Sequence, residues 1–233
     1  MLVAFEGQDG AGKTALLTAV QEALIVCGVP TTVVGEFSDS PHGQRLAKAV
    51  EQDKFLRPVP GEMTTVLTRA LEIVADLYYF DECVIAPALQ HSVVLKDRHV
   101  DTILYTLAPT LTRSGAVGNE QQALTWLRGL CSELRHKPDL TVYVDAPLAV
   151  RRQRIERRRR HLAEARGNEI SGEDKQVFAA RARILRRLLA NEPDRFLVVD
   201  NGERPLQEGA SQVVEAIRAR LAAAPQRSTR QHG

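Results

Sequence analysis

The sequence predicts an α/β fold, a five-stranded parallel sheet wrapped by helices, and three observations predict it. First, five short runs are apolar nearly throughout: Leu2 to Gly7, Thr31 to Gly35, Ser92 to Asp97, Leu140 to Ala146 and Arg195 to Asp200. Such runs suit strands covered on both faces rather than strands with one wet face. Second, stretches of helical periodicity separate the runs, and alternation of strand and helix implies right-handed crossovers and parallel pairing. Third, 233 residues, 44% of them hydrophobic, can bury one substantial core.

The helices follow in order. Lys13 to Cys27 carries Leu16, Leu17, Val20, Leu24 and Ile25 at helical spacing and stops at Gly28, with Pro30 beyond. Met63 to Tyr79 is a second long helix, and Glu82 to Gln90 a third with Pro87 near its start. Glu120 to Leu134, Glu173 to Ala190 and Leu206 to Ala223 complete the set. Neither repeat nor linker interrupts the chain, so residues 1–224 read as one domain. The last residues, 225–233, are polar and aperiodic and read as a disordered tail.

Composition narrows the function. A net charge of +2, from 31 basic and 29 acidic residues, argues against wholesale nucleic-acid binding and against disorder. Cys27, Cys83 and Cys131 are scattered, which suits reduced core thiols rather than disulfides or zinc. The apolar start, Leu2 to Phe5, is too short for a signal peptide, and no run spans a membrane. A cytoplasmic protein is expected.

The strongest chemical signal is Gly7-Gln8-Asp9-Gly10-Ala11-Gly12-Lys13-Thr14, which fits G-x-x-x-x-G-K-[ST] between a strand and a helix. Glycines let successive N–H groups turn inward onto phosphate oxygens, and the helix N-terminus adds its dipole. Lys13 is placed for the β- and γ-phosphates, and the Thr14 hydroxyl for Mg²⁺. A glycine-rich turn capping an ordinary helix is the bland alternative. The fold expected is therefore the P-loop NTPase fold.

Lys96-Asp97-Arg98-His99 stands at the end of a strand, where ligands sit in parallel sheets. Asp97 suits a metal ion or its waters, and Arg98 an acceptor phosphate held as a fork. A surface ion pair is the alternative. Residues 151–160 hold seven arginines, within a segment of about 151–172 that reads as a short arginine-rich lid. A lid would stabilise charge on the transferring phosphoryl; a nucleic-acid patch and a solvated helix face are the other readings.

In this order and spacing the motifs resemble the thymidylate kinase family of nucleoside monophosphate kinases. FEGQDGAGKT resembles its strand and P-loop, KDRHVDT its D-R-Y motif, and Lys137 to Asp145 its P-D-x-T-x-x-L-D strand. The resemblance implies ATP as donor, Mg²⁺ held through Thr14 and Asp97, and a homodimer. It implies phosphate binding by Gly12, Lys13 and Thr14, and places Asp9 at the acceptor sugar or the metal. Asp97 and Arg98 would serve metal and acceptor phosphate. Arg154 would lie along the adenine, and Arg158 would be the lid arginine.

The acceptor half departs from that pattern. The family's arginine after the second strand is missing from Glu36-Phe37-Ser38-Asp39-Ser40. Ile73 and Leu77 stand where a stacking phenylalanine and a base-reading arginine are expected, and Ile103 and Thr106 at other base contacts. Tyr78, Tyr79 and Phe80 could rebuild a stacking wall or belong to the core. dTMP is the acceptor implied. A kinase of nucleosides or other small hydroxyl compounds is the alternative, with Glu36 as general base. A non-catalytic nucleotide binder is the third reading.

Overall fold

The computed structural model describes residues 1–53, 56–58, 61–161, 172–202 and 204–223, and the side chains of all these except 158–161 and 172–174. The expected tail 225–233 and the centre of the expected lid, 162–171, lie outside the described residues.

Five strands form one parallel sheet: β1 (Leu2–Glu6), β2 (Thr31–Val34), β3 (Val93–Asp97), β4 (Leu140–Asp145) and β5 (Phe196–Asp200). Their order is β2-β3-β1-β4-β5, with Leu2 opposite Val94 on one side of β1 and Val3 opposite Leu140 on the other. The chain leaves β1 toward β2 and later crosses back to β4. The carboxyl end of β1 is thus the reversal point of a parallel sheet, where a ligand crevice opens.

Helices cover both faces. Helix α1 (Lys13–Val26) and helix α9 (Leu206–Ala223) bury Leu16, Leu17, Val20, Val213 and Ile217 against Val3, Phe5 and Val142. On the other face stand α3 (Val66–Tyr79), α5 (Val100–Arg113), α6 (Glu120–Leu130) and α8 (Gly172–Asn191). Their core includes Val74, Leu104, Leu107, Leu127, Ile184 and Leu188. The remaining α-helices are α2 (Pro41–Gln52), a short α4 (Ala86–Ala88), and α7 (Leu148–His161). Among the described residues no helix is long and apolar enough to cross a membrane.

Some expectations are corrected. Helices α2 and α5 have no counterpart in the sequence reading. Pro109 inside α5 reads as a breaker, yet the helix continues because Leu104, Leu107, Ala108 and Leu111 are packed in the core. The second helix begins only at Val66, capped by the Thr65 hydroxyl, and Met63 is fully exposed. The expected helix from Glu82 is instead a continuation of α3 through a π-helical turn, Phe80–Ile85, into α4. Cys27 and Cys83 are exposed, and only Cys131 of the three is a core thiol.

Candidate active site

The loop from Gly7 to Gly12 closes on itself through Ala11 N–H donating to Gln8 O at 3.1 Å. Gly12 sits at φ +94°, and a Cβ there would lie 2.2 Å from Asn201 Nδ2, so only glycine fits. Three groups from elsewhere hold the loop from outside. Asn201 Nδ2 donates to Ala11 O at 2.7 Å, and Arg154 donates to Ala11 O at 3.1 Å and to Asn201 O at 2.8 Å. Arg151 Nε donates to Asp9 O at 3.1 Å. Helix α7 therefore begins as a buttress of the phosphate loop. The side chain of Arg158 lies outside the described residues.

Lys13 opens α1 and is 8% exposed. Burial, followed by the nearby Arg98, depresses its ammonium to about 8, against the opposing pull of Asp9, Asp97 and Glu36. Thr14 follows in the first turn and is exposed toward solvent. Asp97 closes β3, and its buried Oδ1 has no hydrogen-bond partner among the described residues. An orphaned carboxylate oxygen and an exposed hydroxyl fit a hard, oxygen-loving cation that keeps waters and phosphates as its other ligands. Among the described residues no cluster of three His, Cys, Asp or Glu would hold a metal on its own. That pattern suits Mg²⁺ carried in with a nucleotide.

Arg98 is the hub of a polar network beside the phosphate loop. Its backbone adopts φ +62°, a conformation that non-glycine residues rarely hold. That twist swings the guanidinium back over the phosphate loop. Nη2 meets Asp9 Oδ1 at 2.7 Å, Nε faces Glu36 Oε1 at 3.0 Å, and Nη1 donates to Tyr105 Oη at 3.2 Å and Gly7 O at 3.3 Å. Burial opposes the charge, but Glu36 and Asp9 outweigh it and keep Arg98 protonated.

A small cavity beside Arg98 collects the remaining expected residues: Glu36, Phe37, Ile73, Leu77, Ile103 and Thr106. Its wall is mostly apolar, and Phe80 completes it, while Tyr78 donates to Leu130 O and Tyr79 points outward. Of the three aromatics, Phe80 alone reaches the cavity. Arg69, one turn before Ile73, is committed to Glu62 and to Glu72 at 3.4 Å.

Besides Asn201, three supporting residues escaped the sequence reading. Glu6 is fully buried and accepts the backbone N–H of His99 at 2.8 Å and of Thr102 at 3.2 Å, so a β1 carboxylate caps α5. Burial, then the Asp101 charge, raises its carboxyl to about 7. Lys96, 1% exposed, donates to the carbonyls of Gly35, Glu36 and Asp97 and lies 3.9 Å from the Phe80 ring centre. It ties the end of β2 to the end of β3. Asp76 accepts from Ser38 N at 3.1 Å and from the hydroxyls of Ser38 and Ser40, fixing the loop that presents Glu36 and Phe37. A signal existed for one of them, since Lys96 is a charged residue within an apolar strand run.

The model of the family described as thymidylate kinase matches residues 5–213. The chain belongs to the thymidylate kinase family. A thymidylate kinase of Cutibacterium acnes is 31% identical over 222 residues, covering 95% of this chain and 96% of that protein. One of Lactiplantibacillus plantarum is 32% identical over 225 residues, covering 94% and 92%. A probable thymidylate kinase of Halorubrum lacusprofundi is 28% identical, covering 95% of each. The chain is thus a phosphotransferase of the nucleoside monophosphate kinase class, with ATP as donor. Glu36, Ile73 and Leu77 all line the cavity beside Arg98.

Proposed function

We propose that this chain transfers the γ-phosphoryl of ATP to a nucleoside 5′-monophosphate, with Thr14 and Asp97 as the residues that would hold Mg²⁺ beside the donor phosphates. The single observation that carries the acceptor class is Arg98. It stands between Asp9 of the phosphate loop and the apolar cavity, backbone strained, with its charge maintained. A phosphate that docks on this fork lies beside Lys13, where the donor's terminal phosphate arrives, and in-line transfer needs little beyond positioning and charge. The bound cation supplies charge neutralisation on the donor phosphates. Arg154, bonded along the rim of the loop, would flank the adenine.

dTMP is the acceptor suggested by the relatives' names. The apolar Ile73, Leu77 and Ile103 leave the thymine edge without a charged reader, so base discrimination should be shallow. Arg98→Ala tests the reading. It should abolish turnover of a monophosphate, and full activity would remove the acceptor-phosphate assignment.

One observation favours a second reading, a kinase of nucleosides or other hydroxyl-bearing metabolites. Glu36 places a carboxylate 3.0 Å from the Arg98 guanidinium, in a stretch that lacks the arginine the resemblance implies. A carboxylate there can accept a proton from an alcohol. Turnover of bare nucleosides that survives Arg98→Ala and fails in Glu36→Gln would establish it.

A homodimer is proposed as well. Leu67, Leu71, Ala75 and Tyr79 form an exposed apolar stripe at four-residue spacing along α3. We propose that a second copy covers this stripe, since a two-fold dimer buries the same face on both subunits.

A further inference from the structure

His99 follows Arg98 at the junction of β3 and α5 and is only 2% exposed. It occupies the N-cap position of α5, where a side chain ordinarily accepts a backbone N–H. His99 makes no such bond, because Glu6 reaches across from β1 and accepts the N–H groups of His99 and Thr102 itself. The imidazole is thereby released from the role that its position imposes.

Both ring nitrogens, Nδ1 and Nε2, are buried without a hydrogen-bond partner among the described residues. Buried polar atoms are nearly always paired, so an imidazole with neither nitrogen satisfied requires an explanation. His99 lines the cavity beside Arg98, and the other polar side chains of that wall are already engaged. Lys96 bonds backbone carbonyls, Asp76 holds Ser38 and Ser40, and Glu36 pairs with Arg98. Thr102 donates to Glu6, and Thr106 to Thr102 O. Among the described residues of this wall, His99 is the polar side chain with its hydrogen bonds still to make. Ile73, Leu77, Phe80 and Ile103 give the rest of the lining an apolar character that suits a flat ring.

We infer that His99 hydrogen-bonds the base of the acceptor in this cavity and is the residue that reads its polar edge. This rests on the monophosphate reading above, in which Arg98 holds the phosphate and the base enters the apolar part of the same cavity. A ring buried with no carboxylate bonded to it is neutral and carries one N–H and one lone pair. Its tautomer follows its partner, so the same nitrogen can donate to a base carbonyl or accept from a base amino group. Such a reader holds thymine, uracil and cytosine alike, which suits a site with no charged group for the base edge.

The test compares His99→Phe and His99→Gln with the wild-type chain, using ATP, Mg²⁺, the pyrimidine monophosphates dTMP, dUMP and dCMP, and thermal melting. His99→Phe keeps a ring of similar size and removes both nitrogens. It should raise the acceptor KM by roughly 5- to 30-fold, the effect of leaving one buried ligand group unpaired. The KM for ATP should stay within about threefold of wild type. Its Tm should be unchanged or higher, because two unpaired buried nitrogens are gone, and His99→Gln should recover part of the acceptor KM. Inhibition by 2-deoxyribose 5-phosphate, which has the phosphate and no base, should be the same in wild type and His99→Phe. An unchanged acceptor KM in His99→Phe would overturn the inference, and so would a matching loss of that inhibition, which places His99 on the phosphate or sugar. A fall in Tm with ATP and acceptor KM rising together would overturn it too, marking a structural histidine. If wild type turns over none of the monophosphates, the monophosphate reading fails and the inference falls with it; an absent variant effect on an active wild type defeats the inference alone.

Discussion

Lys13 and Lys96 are two ammonium groups in places that water scarcely reaches, and each is depressed to about 8 chiefly by burial. For Lys13 the tension is relieved by a ligand's phosphates. Removing it in Lys13→Ala should lower kcat/KM by a few hundredfold or more, about 3–4 kcal/mol for a preorganised charge; a variant within about threefold of wild type would contradict the phosphate-loop assignment. Lys96 faces carbonyls and a ring, so its tension is resident in the fold. Its folded pKa lies below the unfolded 10.5, so the penalty is complete below about pH 8 and is relieved as pH rises toward 10.5. Lys13 contributes in the same window. Lys96→Met should therefore flatten, without abolishing, the rise of stability between pH 8 and 10.5 in the unliganded protein, measured by denaturant unfolding. An undiminished rise would contradict it. At this scale the donor site was legible, because G-x-x-x-x-G-K-T places its own chemistry in consecutive residues. Glu6 and Asn201 were not, because each acts across 90 or more residues on a partner that only the sheet order brings near.

Helix α2 and the loop before it show how an element can carry site geometry and still escape the sequence reading. The Ser40 hydroxyl caps α2 by accepting Gly43 N–H at 3.1 Å, and Pro41 stands at its first turn. The capping signals were present, and Gly43, Leu46 and Ala49 lie on one buried face at helical spacing, so this helix was legible and missed. Gly43 is there for space, since a Cβ would lie 2.1 Å from Ser38 O. Asp76 on α3 then locks Ser38 and Ser40 in place. Asp76→Ala leaves buried hydroxyls and an N–H unpaired and frees the segment that presents Glu36 and Phe37. It should cost about 1–3 kcal/mol of stability and raise the acceptor KM more than the ATP KM. Equal effects on both substrates, measured beside a denaturant titration, would show that Asp76 serves the fold alone. Helix α7 teaches the converse. Its arginine run reads as a lid, yet Arg151 and Arg154 are bonded to the phosphate loop, so its first turns stay with the donor site. Only a three-dimensional count of carbonyl partners separates an arginine that buttresses a loop from one that reaches a ligand.

Over the whole molecule, the five strands and their parallel pairing were legible because each strand is a continuous apolar run and each crossover a periodic helix. The acceptor's identity was not, because it depends on side chains from β2, α3 and α5 meeting at one cavity. The exposed stripe on α3 belongs to this scale. Leu71→Glu with Tyr79→Glu should convert a dimer to a monomer in sedimentation, and an unchanged mass would remove that face as the interface. The central claim is that an intact ATP site has been joined to an acceptor site that grips a phosphate while reading the base weakly. The most direct measurement is steady-state turnover, followed by ADP release with ATP and Mg²⁺, on dTMP, other pyrimidine monophosphates and the matching bare nucleosides. The account predicts turnover of the monophosphates with less than about 30-fold spread among bases, as expected where no charged group reads the base edge, and no turnover of the nucleosides. Turnover of bare nucleosides with none of their monophosphates, or a sharp preference for dTMP alone, would contradict it.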